Sequence, residues 1–231
     1  MLDFPKNQFQ VRNQREREEL DRAEEIWKKN FQGKLIRSSY GVKVGLIAPL
    51  TDTVFPISQK HSAYADLPYG RKGTVGEGGC GPLAVEYALR LMGFNVSLLD
   101  IVEQCDYKGY RAYEYNDEGL IIGAMGTEYA LFHNLAMEVF SLREMLRALK
   151  DSKPVTLLVD NAIYNNDGSQ KGNHFVTLIG IGIGQEAIIM DGNKIVNHDE
   201  EAKVAIPLKE LIPGIKGAWS WDKETVKSIF K

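Results

Sequence analysis

Two cysteines and four histidines are all that this chain offers for thiol–imidazole chemistry, and their surroundings separate them. Cys80 stands in GEGGCGPLAVEYALRLMG, where a glycine-rich run becomes an apolar helix. A thiol reacts as its thiolate, and the unpaired N–H groups and positive end of a helix stabilise that anion. Gly78, Gly79 and Gly81 leave the sulfur open to an approaching carbonyl and free backbone N–H groups to meet a developing oxyanion. Cys105, inside SLLDIVEQC, has neither glycines nor a helix start beside it and reads as a core residue. Two cysteines in such different settings do not make a disulfide framework, so a reducing compartment is expected.

A thiolate needs a base. His61 lies in a polar loop, His198 in the charged NHDEE, and His133 in the mostly apolar YALFHNLAM. His174 differs, because it opens HFVTLIGIG directly after the polar NNDGSQKGN. The rim of a rigid strand is where a base is both held and reachable. An imidazole also needs an acceptor to fix its tautomer. If the next strand, EAIIMDGN, pairs with the first as a hairpin, Asp191 returns beside His174. Asp191 is equally readable as a turn residue before Gly192, and the two roles are compatible.

A competing motif overlaps the cysteine. GEGGCG (76–81) matches G-x-G-x-x-G, and Asp100 lies at the spacing of a ribose ligand. That fingerprint requires a buried strand before the first glycine, and LPYGRKGTV cannot supply one. No CxxC pair, HExxH or Walker-type phosphate loop occurs, and no metal or organic cofactor is implied.

The elements that must position these residues are legible in outline. QREREELDRAEEIWKKN (14–30) reads as a charged surface helix with acid-first i,i+4 pairs. VKVGLIAPL is the most strand-like part of 35–57, and 58–79 reads as a loop. The helix from Cys80 to Gly93 has hardly any polar face and should be buried. Helices are expected at about 97–105, 127–138 and 141–150, the last opened by Ser141 and Glu144 in capping-box spacing. The tyrosine-rich 106–126 between the first two reads as a loop. PVTLLVD, HFVTLIGIG, EAIIMDG and a run near 203–206 are expected strands, followed by a helix near 222–230. Helices first and antiparallel strands afterwards give an α+β domain. The division expected is an N-terminal charged helical extension, 1–45, and a catalytic domain, 46–231.

Composition bounds the function. The chain has 231 residues, 44% hydrophobic and 26% charged, with a formal net charge of -3. Its basic residues are scattered, which argues against nucleic acid as a partner. No apolar run reaches the ~18 residues of a membrane span; the longest, Phe175 to Met190, is broken by Gln185 and Glu186. The first residues lack a basic segment followed by an apolar one, so a cytoplasmic location is expected unless a signal has been removed.

Four segments, in order, resemble the C39-like branch of the papain-like cysteine peptidases. QKHSAYADLPYG (59–70) resembles that family's segment running from a Gln to a Tyr-Gly. GEGGCGPLAVEYAL is similar to its G-C-G-P-T helix start, GNHFVTLIG to its G-H-F-V-x-L strand, and IIMDGN to its strand ending in Asp-Pro. The resemblance spans about residues 50 to 210. It implies a papain-like fold, with a buried nucleophile helix packed on a C-terminal antiparallel sheet. It also implies Cys80 as nucleophile, His174 as base, Asp191 as its orienter and Gln59 as side-chain donor of the oxyanion hole. The substrate implied is a peptide or protein, cleaved at a peptide-type bond through a thioester, with no cofactor. Leu83, Gly192 and Asn173 depart from the family pattern without removing a catalytic atom. Family members include leader-peptide proteases fused to bacterial exporters, and no transporter segment is present in these residues. Two other readings stay open: acyl transfer to an amine or thiol, which uses the same residues, and a non-catalytic module that keeps the fold and binds peptides, in which Cys80 is expendable. The substrate and the oligomeric state are not encoded in any recognisable pattern.

Overall fold

A computed structural model describes residues 36–37, 43–44, 58–60, 65–94, 96–127, 130–164, 172–182, 184–193 and 203–229. The expected helix at 14–30 and most of the proposed extension lie outside these residues. Of the stretch 35–57, the described part is one antiparallel pair, β1 (Ile36–Arg37) with β2 (Lys43–Val44).

The chain is a mixed α+β protein with antiparallel sheets. Among the described residues the largest sheet has six strands in the order β5 (Met137–Glu138), β10 (Ile215–Ser220), β6 (Val155–Asp160), β7 (Asn173–Ile181), β8 (Glu186–Met190) and β9 (Lys203–Pro207). β6, β7 and β8 are almost wholly buried, which is why they read as continuous apolar runs rather than alternating ones. Their register sets the site: Val159 lies opposite His174, and Thr177 opposite Met190.

The helices on this sheet are short except for the one that carries Cys80. α1 (Val75–Gly78) is a single turn, α2 (Cys80–Leu91) follows it, and α3 is Leu98–Tyr107. From Gly81 to Leu89 every residue of α2 is buried, as its missing polar face requires. α2 lies across β7, and Thr177 Oγ1 donates to Ala84 O at 3.1 Å, bolting helix to strand in the interior. α4 (Ala130–Leu135) brings Phe132 into a stack with Phe175 of β7 and Trp219 of β10. α5 (Leu142–Lys150) begins as its sequence demands, with Ser141 Oγ accepting from the Glu144 N–H. Among the described residues α6 (Asn161–Tyr164), α7 (Leu208–Leu211) and α8 (Lys223–Ile229) follow.

Three expectations are corrected. The loop read into 58–79 contains α1, because Thr74 and Glu77 form a capping box that starts a helical turn before Cys80. The loop read into 106–126 is largely a hairpin, β3 (Arg111–Tyr115) with β4 (Ile121–Thr127). Asn116 makes its turn: the side-chain oxygen accepts from the N–H groups of Glu118 and Leu120, and Gly119 takes a positive φ of 75°. The helix expected over 127–138 shrinks to Ala130–Leu135, since Thr127 ends β4 and Met137–Glu138 pair with β10. β10 itself, IKGAWS, goes unrecognised in the sequence because Gly217 and a register shift blur its alternation.

Candidate active site

Cys80 is the first residue of α2, with α1 and Gly79 immediately before it. Close approach explains two of the surrounding glycines. A side chain at Gly81 would strike Thr127 at the end of β4, and one at Gly78 would strike the Arg111 guanidinium. The hairpin therefore presses directly against the helix start, and larger residues would push it off.

His174, ninety-four positions further on, is the second residue of β7 and 4% exposed. It bridges two groups. Nε2 lies 2.6 Å from Asp191 Oδ1, and the ring is hydrogen-bonded to Cys80. Because Nε2 faces the carboxylate, Nδ1 is the nitrogen left for the sulfur. Asp191 directly follows β8, so the antiparallel β7–β8 pair returns it to His174. It is also a turn residue: Oδ1 accepts from the Asn193 N–H at 2.8 Å. Asp191 thus lies against His174 and closes a turn at the same time.

The electrostatics follow from burial set against hydrogen bonding. Burial opposes ionisation of the Cys80 thiol, but the hydrogen bond and charge of His174 and the Phe175 backbone N–H outweigh it and hold the thiol below its ordinary range. Burial likewise opposes a charged His174, while its bonds to Asp191 and Cys80 raise it to about 10. Asp191, although buried, is held below the usual carboxylate range by His174, Asn193 and Tyr164. The combination favours a thiolate beside an imidazolium, backed by a carboxylate. Such a group can attack a carbonyl at neutral pH and later return a proton to a leaving amine.

Gln59 is drawn to the same place. Its backbone N–H donates to Gly192 O at 2.7 Å, and Ser58 Oγ donates to that oxygen at 3.0 Å. Its Nε2 donates to Gly76 O, one turn before Cys80, which leaves a second amide hydrogen for another acceptor. Gln59 is 4% exposed, and its Oε1 has no hydrogen-bond partner. Gly192 matters sterically as well, because a Cβ there would collide with Leu83 of α2.

No family model, no curated protein and no solved structure matches this chain.

The remaining candidates separate cleanly. Cys105 is fully buried, and burial pushes its thiol up to about 12. Asp100 completes a capping box with Ser97 at the start of α3 and so has a local role, and among the described residues none of 65–75 belongs to a strand leading into Gly76. His61 and His198 lie outside the described residues. Among the described residues, no group of three His, Cys, Asp or Glu is arranged to hold a metal ion, and no helix is long and apolar enough to cross a membrane. Sequence reasoning missed Tyr164, whose Oη donates to Asp191 Oδ2 at 2.9 Å. It also missed Arg111, buried beneath the Tyr69 ring at 4.1 Å with Nε and Nη1 unpartnered. Nothing in DNAIYNN marks its tyrosine, since the contact exists only once β6 and β8 flank β7.

Proposed function

We propose that this chain is a cysteine peptidase or amidase with a papain-like catalytic arrangement. The observation that carries the reading is His174 held between Cys80 and Asp191 at the junction of a helix start and two strand ends. In this mechanism the Cys80 thiolate attacks the carbonyl carbon of a peptide-type bond. The oxyanion is met by the Cys80 N–H and the free amide hydrogen of Gln59. Imidazolium His174 gives its proton to the departing amine, leaving a thioester on Cys80. Neutral His174 then takes a proton from water, whose oxygen attacks the thioester. Collapse expels the sulfur and releases the acid. Asp191 stays ionised throughout and keeps Nδ1 of the ring turned to the sulfur.

Iodoacetamide alkylation followed across pH tests this reading. Cys80 should be labelled far ahead of Cys105, with a midpoint well below the ~8.5 of a free thiol. A peptide library should then yield a cleaved bond with the wild-type protein and none with Cys80→Ala. A Cys80 that is alkylated no faster than a free thiol, with the ordinary midpoint, would sink the proposal.

A further inference from the structure

The donors around Asp191 divide between its two oxygens. Oδ1 receives His174 Nε2 and the Asn193 N–H. Oδ2 receives Tyr164 Oη at 2.9 Å, and among the described residues no other donor reaches it. Asp191 is 1% exposed, and a carboxylate so enclosed keeps its charge only while its oxygens are met by donors. Tyr164 is itself buried, at the end of the single turn α6 that follows β6. Its ring centroid lies 6.0 Å from that of His174, tilted by 52°. One side chain thus grips the far oxygen of the carboxylate and lies beside the imidazole.

We infer that Tyr164 is a positioning residue whose hydroxyl fixes Asp191 and, through it, the imidazole that partners Cys80. The inference rests on the hydrolase reading above. Tyr164 reaches the sulfur only through two intermediaries. Without the hydroxyl the Asp191 anion is held less well, the neighbouring imidazolium loses support, and the thiolate that the imidazolium stabilises becomes scarcer. The titratable groups that feel Asp191 are His174 of β7, Cys80 and Tyr87 of α2, and Tyr164 of α6. Of these, Tyr164 is the hydroxyl donor hydrogen-bonded to it.

The test is Cys80 alkylation by iodoacetamide from pH 4.5 to 9.5 in the full chain, comparing wild type with Tyr164→Phe. The midpoint should rise by about one pH unit, so that labelling slows about tenfold on the acid side. At pH 9.5, where the thiol ionises regardless, the two rates should agree within about twofold. In the Asp191→Asn background, Tyr164→Phe should add no further shift. A uniform slowing with an unmoved midpoint is the mark of a merely structural tyrosine and overturns the inference. Should Tyr164→Phe fail to fold, 3-fluorotyrosine placed at position 164 keeps the ring and makes the hydroxyl a stronger donor. The midpoint should then move down, and an unmoved one overturns the inference. A wild-type Cys80 with the midpoint of a free thiol would remove the hydrolase reading as well. A depressed wild-type midpoint that Tyr164→Phe leaves in place removes this inference alone.

Discussion

At Cys80, burial and hydrogen bonding oppose each other, and substitution of the partners shows which prevails. Asp191→Asn keeps the shape of the side chain but removes its charge. The Cys80 alkylation midpoint should rise by at least one pH unit, with labelling at pH 6 at least about tenfold slower. Gln59→Ala should leave that midpoint alone, because in the proposed mechanism the amide meets the oxyanion and not the thiolate. Turnover of a cleaved peptide should instead fall by about 10²–10³ with KM little changed. The residues of the candidate site were legible from the sequence because each stands where two patterns meet: glycines against a helix for Cys80, loop against strand for His174, strand against turn for Asp191. Gln59 became a candidate only through family resemblance, since a glutamine in a polar loop carries no periodic signal. Tyr164 and the Phe175 N–H depend on how strands align, which no local pattern records.

At the scale of elements, the site is where a helix start, two strand ends and a loop meet, and Gly192 is their common contact. Its carbonyl holds the backbone of Gln59, its neighbour is Asp191, and its Cα faces Leu83 of α2. Gly192→Ala should cost about 1–3 kcal/mol through the clash with Leu83, measured as a drop in denaturation midpoint. Leu83→Ala should recover part of that loss when combined with it, while costing stability by itself. Thr177→Val should cost about 1 kcal/mol by removing the bolt to Ala84 O. Long elements were predictable here because burial on all sides leaves an unbroken apolar record, as in α2 and β7. The β3–β4 hairpin was hidden by its tyrosines and glycines. Its turn was nonetheless written in Asn116–Gly119, and the capping box of α1 in Thr74 and Glu77.

Across the whole molecule, one buried acid ties stability to pH. Glu86 of α2 is 2% exposed, its Oε2 lacks a partner, and Arg90 Nε lies 3.3 Å from Oε1. Burial raises its carboxyl to about 7, against the pull of Arg90 and the Leu98 backbone N–H. The folded state therefore binds a proton that the unfolded chain releases from pH 4.5 upward. This contribution is complete below pH 4.5 and is lost as pH rises through about 7. Thermal melts should show a decline over that window, and Glu86→Gln should flatten it.

The bolt between Thr177 and Ala84 joins two layers that carry different halves of the proposed chemistry: the sulfur rides on the helix, the imidazole on the sheet and the carboxylate just beyond a strand end. A slight parting of those layers should return Cys80 to an ordinary thiol while leaving every helix and strand intact. The acid-side reactivity expected of Cys80 should thus gauge interlayer docking. In rising urea that reactivity should fade before the circular dichroism of the backbone changes, and Thr177→Val should bring the fading to lower urea.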